Sequence, residues 1–185
     1  MAIGDWFSQR MERLSESVAD WRDDYRDGSV WLKASIAIVS LYLLVAVAMG
    51  IYWSSEPKPF SVRDLVAQQQ SGKAQKIIGV ASAATMVKVG ETLLDKRGGF
   101  ISNDVMPPGV WLDNIPNWEY GVLIQMRDMS KAMREAFSRS QSQSTEDTAL
   151  ALAESRFNFD HDSWAIPASE SEYREGIKYL KDYLT

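Results

Sequence analysis

Between Lys96 and Gly121 the chain reads "KRGGFISNDVMPPGVWLDNIPNWEYG", and three carboxylates, Asp104, Asp113 and Glu119, stand there beside two large aromatics, Trp111 and Trp118. Carboxylates flanked by stacking rings are what sugar cleavage needs: one acid protonates the leaving oxygen, another attacks or activates water, and the rings hold the sugar. Asp104, Asp113 and Glu119 are therefore the candidate catalytic residues, and Trp111 and Trp118 the candidate binding residues. The same stretch also has a plainer use. Gly98-Gly99 suits the end of a helix, with Gly98 just past it. Pro108-Gly109 suits a type II turn, and Asn114 or Asn117 beside Pro116 suits the opening of the next helix. Large aromatics in a long loop usually pin it to a core, so Trp111 and Trp118 are both expected to be buried. This plainer use is the stronger reading.

A second group lies in "NFDHDSW". In an extended segment Asp160 and Asp162 would point the same way, and with His161 they offer ligand atoms for a hard cation. No distant ligand accompanies them, so a solvated loop is expected, with neither metal nor other cofactor. Other chemistries are closed by composition. The chain has no cysteine and a single histidine, which removes thiolate sites, cysteine nucleophiles, three-histidine zinc and the HExxH helix. It contains no GxSxG, GxGxxG or Walker loop. A net charge of -5 and no basic run longer than Lys96-Arg97 disfavour nucleic acid as a partner.

These residues must be held by something, and the surrounding elements read as helices. Ala34 to Trp53, "ASIAIVSLYLLVAVAMGIYW", carries no charge. As a helix rising about 1.5 Å per residue it covers roughly 30 Å, the thickness of a bilayer core. Trp31 stands at one end and Tyr52 and Trp53 at the other, as interfacial aromatics do. The run is too long and too late for a cleaved signal peptide, so a single transmembrane helix is expected. A slim excess of Lys and Arg before it puts the N-terminus inside.

Ahead of the span, Ile3, Phe7, Met11, Leu14, Val18, Trp21 and Tyr25 share one helical stripe opposite a face of mixed charge. That pattern suits pairing with a second helix, its own copy or a partner's; resting on the membrane surface is the alternative. Beyond the span, "SSEPKPF" is a linker. Ser61 with Asp64 caps a short helix. A longer helix is expected from about Ala74 to Lys96, rich in small residues that allow close approach. Val122, Met126, Met129, Met133 and Phe137 mark the next. Ser144 with Asp147 and Ser169 with Glu172 are expected caps of two more.

The strings "LLDKRGGFISNDVMPPGVWLDNIPNWEYGVLIQMRD", "FSRSQSQSTED" and "DSWAIPASESEYREGIKYL" also resemble an uncharacterised bacterial family, domain-of-unknown-function family 2333. The resemblance implies a proteobacterial inner-membrane protein with a helical extramembrane part, and no assigned activity. Members usually continue with further helical sequence, so the chain is expected to be a shortened member or a fragment. The expected architecture is all-α: 1–33 an amphipathic segment, 34–53 the transmembrane helix, 54–60 a linker and 61–185 a helical-bundle domain outside the cytoplasm. The expected role is a non-enzymatic envelope interaction or scaffold protein touching lipid and a protein partner. The alternative is a membrane-tethered hydrolase acting on cell-wall glycan.

Overall fold

A computed structural model describes residues 3–70, 79–138 and 147–185. Among them run seven α-helices and no strand: α1 (Ile3–Asp27), α2 (Val30–Trp53), α3 (Val62–Gln70), α4 (Val80–Asp95), α5 (Asn114–Ser138), α6 (Thr148–Phe157) and α7 (Ser169–Tyr183). The all-α expectation is met. The chain forms two compact units, Met1–Val47 and Ala48–Thr185, divided inside α2.

In the first unit, α1 carries Met11, Leu14, Val18 and Trp21 on one face, each more than half exposed. Ser29 then opens α2: its hydroxyl oxygen accepts the Leu32 amide at 3.3 Å, and its carbonyl accepts that of Lys33. With that cap in place, Val30, Trp31 and Leu32 join the helix ahead of the uncharged run. Only 11% of the most apolar window of α2 is buried. A core helix of a soluble domain would bury most of such a face. Helix α2 is long and apolar enough to cross a membrane.

The second unit is a bundle in which α7 packs on α6 and α4, α5 on α6 and α4, and α3 along α4. Leu93, Leu123, Met133, Leu150, Phe157, Tyr173 and Leu180 form the most buried part of its core. The small residues of α4 allow α7 close. A Cβ on Gly90 would lie 2.8 Å from Ile177 Cγ1 and 2.9 Å from Met126 Cε. On α5, Leu123, Met126, Ser130 and Met133 face inward and Met129 stays 38% exposed. The Phe137 side chain lies outside the described set.

Local signals were met or replaced one by one. Ser61 caps α3, accepting the Asp64 amide at 3.4 Å. Helix α4 starts at Val80, after Gly79 in left-handed conformation (φ 73), because that glycine breaks the helical path; Ala74 lies outside the described residues. The cap of α6 is Asp147, whose Oδ1 accepts the amides of Ala149 and Leu150 at 2.9 and 3.1 Å; Ser144 is likewise outside the described residues. The expected box at Ser169 and Glu172 does not form. Ala168 occupies the N-cap position, the Ser169 hydroxyl is drawn into the preceding loop, and Glu172 pairs with Arg156.

Candidate functional site

Two loops of the second unit carry the residues singled out above, one joining α4 to α5 and one joining α6 to α7. The first is organised by an ion pair that the bundle closes off from water. Lys96 is the last residue of α4's cap and Glu119 sits in the second turn of α5; their side chains are 2% and 0% exposed. Lys96 Nζ donates to Glu119 Oε1 and to the Gly99 carbonyl. The Glu119 carboxylate also accepts the Ile101 amide (3.0 Å), the Ser102 amide (2.8 Å) and the Ser102 hydroxyl (2.6 Å). Removing two charges from water is costly, and only such complete partnering offsets it. Glu119 thus fastens the start of the loop to α5.

Backbone geometry follows from this clamp. Gly98 has φ +87, and a Cβ there would meet Trp53 Cγ at 2.7 Å. The helix has already ended at Asp95, with Lys96 extended, so Gly98 serves the turn and the Trp53 contact rather than the helix terminus. No type II turn forms at Pro108-Gly109, since Gly109 is not among the positive-φ glycines. Gly109 instead opens a 3-10 turn, Gly109–Trp111. A Cβ on it would lie 2.2 Å from Asp104 Oδ2, so glycine makes room for the carboxylate.

The second loop is held from beneath by buried donors. Arg127 Nε donates to the Phe157 carbonyl (2.7 Å) and its Nη2 to that of Phe159 (2.8 Å). The Tyr173 hydroxyl lies 3.0 Å from the Phe159 carbonyl and 3.1 Å from that of Asp160. The Ser169 hydroxyl lies 2.8 Å from the Asp160 carbonyl and 3.0 Å from that of Ser163. Asn103 joins the two loops, its Nδ2 reaching the Ser163 carbonyl (2.9 Å) and Glu170 Oε2 (2.8 Å). On the outer side the His161 ring packs against Tyr120, centroids 4.7 Å apart.

The five loop residues thus take different positions. Glu119 is sealed. Asp113 is exposed. Asp104 is surface-lying, yet partial burial and the nearby Glu119 and Glu170 carboxylates raise its pKa against the pull of Lys96. Trp111 and Trp118 are 53% and 37% exposed, so neither ring is the buried anchor expected; Glu119, beside Trp118, does that work through charge. Trp118 borders a cavity of about 730 Å³ lined with linker residues Glu56 to Phe60, and none of Asp104, Asp113 or Glu119 lines it.

The ligand atoms of Asp160, His161 and Asp162 all lie within 4.8 Å of one another. They could hold a hard cation with water completing its shell. Burial pushes the Tyr173 phenol up to about 12, against the opposing effect of Arg127.

Sequence reading missed the loop-holding roles of Lys96, Asn103, Arg127, Ser169, Glu170 and Tyr173. Lys96 and Glu119 did leave one signal: opposite charges at the two ends of a Gly- and Pro-rich loop.

A family model described as "uncharacterized protein conserved in bacteria (DUF2333)" matches residues 25–185. No curated protein and no solved structure matches the chain at a significant level.

Proposed function

Since the chain belongs to this uncharacterised bacterial family, we propose from its own residues that it is a single-pass inner-membrane interaction protein without catalytic activity. The observation that carries this reading is the apolar stripe of α1. Met11, Leu14, Val18 and Trp21 recur at helical spacing and are all more than half exposed. Such a face is a seam awaiting a second helix. Its polar side mixes Asp20, Glu12 and Glu16 with Arg10, Arg13 and Arg22, where a helix bound to anionic lipid would be predominantly basic. In this reading α2 spans the membrane, the N-terminus is cytoplasmic, and the bundle stands in the periplasm as a scaffold.

The chain lacks cysteine, which makes the test direct. Leu14→Cys or Val18→Cys in native membranes should give an oxidised homodimer, or a bifunctional crosslinker from the same position should capture one defined partner. Absence of both products sinks the reading. Reporter fusions at Thr185 that are active only in the cytoplasm would reverse the orientation.

The rival is a membrane-tethered hydrolase of cell-wall glycan, and one observation favours it. Asp104 holds its proton more tightly than an ordinary carboxylate, as a general acid must. Glu119 has no free lone pair or solvent access to act beside it, which leaves Glu170, the other carboxylate acting on Asp104, as its partner. Loss of glycan cleavage in Asp104→Asn with folding intact would put this rival first.

A further inference from the structure

Between Asp104 and Asp113 lie eight residues, "VMPPGVWL", with neither charge nor polar side chain. Buried interiors normally absorb such a run, yet Val105, Met106, Val110 and Trp111 are each more than half exposed. Buried Pro108 and half-buried Leu112 lie against the end of α2. Within the second unit, a Cβ on Gly50 would lie 3.5 Å from Pro108 Cβ and 3.8 Å from Leu112 Cδ2. The neighbouring turn is tied to the same helix end: Gly98 lies under the Trp53 ring, and the Arg97 guanidinium stands 4.9 Å over the ring of Tyr52.

Gly50 stands three residues inside Trp53, about 4.5 Å deeper along a helix axis that rises about 1.5 Å per residue. The contact therefore lies at the level of the last turn of the apolar helix, below the aromatic pair that marks its edge. The side chains of Val105, Met106, Val110 and Trp111, on either side of Pro108, are left exposed. We propose that the loop 105–112 is a second membrane contact, a monotopic wedge whose Val105, Met106, Val110 and Trp111 enter the boundary between headgroups and acyl chains beside α2. This rests on α2 being a transmembrane helix. The occupant is the lipid of the bilayer itself. The loop offers apolar area and a Trp, as interfacial elements do, and carries no basic residue to select anionic headgroups. Arg97 over Tyr52 sits where a guanidinium can reach the headgroup layer while its stem stays in apolar contact. Two contacts in place of one would fix how the bundle stands on the membrane.

The cysteine-free full chain, reconstituted in phosphatidylcholine vesicles, permits a site-by-site test. Spin labels would be placed by Met106→Cys and Val110→Cys, with Leu44→Cys in α2 and Arg174→Cys on the outer face of α7 as references. Oxygen concentrates in hydrocarbon and a nickel chelate stays in water. Labels at 106 and 110 should show an oxygen-to-nickel accessibility ratio several-fold above that at 174, approaching the ratio at 44. Water-like ratios at 106 and 110 with a lipid-like ratio at 44 would overturn the wedge and leave the span standing. A water-like ratio at 44 would overturn the span and the wedge together. Labels at 106 and 110 shielded from both reagents would also overturn it, because protein rather than lipid would then cover the loop. All four positions are exposed in the fold, and circular dichroism of each variant would verify that the bundle is intact.

Discussion

Replacing Glu119 by alanine tests how the α4–α5 loop is held. The substitution strands the Lys96 ammonium, 2% exposed, without its counter-charge. It also strips acceptors from the Ile101 and Ser102 amides and the Ser102 hydroxyl. Breaking a buried pair by deleting one partner costs about 3–5 kcal/mol, since an uncompensated charge remains in low dielectric. Each orphaned donor would add about 1–3 kcal/mol if the loop stayed in place. The loop will instead relax toward water, so a total of about 4 kcal/mol is expected. For a protein of this length that is a fall in Tm of about 10 °C or more.

The assay is thermal unfolding of the full chain in detergent, followed by far-UV circular dichroism. The double variant Lys96→Met with Glu119→Gln removes both charges and keeps an acceptor for the loop amides. It should recover about 2 kcal/mol relative to the sum of the two single changes. An exposed pair supplies the control: Asp95 and Arg174 approach to 2.7 Å, but both are more than half exposed, so Asp95→Asn should cost under about 1 kcal/mol. A Glu119→Ala loss as small as that of the control would refute the clamp, as would additivity in the double variant.

Gly90→Ala adds a methyl group within 3 Å of Ile177 and Met126. Overpacking of about 1–3 kcal/mol should outweigh the helix-propensity gain of about 1 kcal/mol, and denaturant unfolding should show a net loss. Tyr173→Phe removes the hydroxyl that reaches the Phe159 and Asp160 carbonyls and should cost about 1–2 kcal/mol, read from the same curves. The Tyr173 phenol is raised from 10.0 to about 12, so the folded state holds this proton more tightly than the unfolded chain. Its contribution to stability is complete below pH 10 and lost as pH rises through about 12. Alkaline unfolding should therefore begin from a lower plateau and be shallower in the Phe variant. Asp147→Ala deletes the acceptor for the Ala149 and Leu150 amides and should cost about 1 kcal/mol, with earlier hydrogen exchange confined to the first turn of α6.

Much of the architecture was legible in the chain because the signals lie between residues close in sequence. The uncharged run ending at Trp53, the α1 stripe and the Ser61 cap each depend on neighbours within a turn or two. Helical periodicity converts them directly into structure. The small residues of α4 likewise announced close packing, though not that Ile177 of α7 would be what approaches Gly90.

The loops were decided by tertiary contact. A carboxylate's work depends on which donors reach it and whether water does, and for Glu119 those donors are Lys96, 23 residues away in sequence, and amides 17 and 18 residues away. Identical local sequence with α4 and α5 packed otherwise would leave Glu119 solvated and open to other partners. Ser169 and Glu172 have the spacing of a capping box, but the Asp160 and Ser163 carbonyls and Arg156 compete for them and win. The stretch 105–112 shows the same division. Its apolar character was written in the sequence, whereas its place beside Gly50 came from the fold, because a side chain's type fixes what it can bind and only packing fixes what it meets.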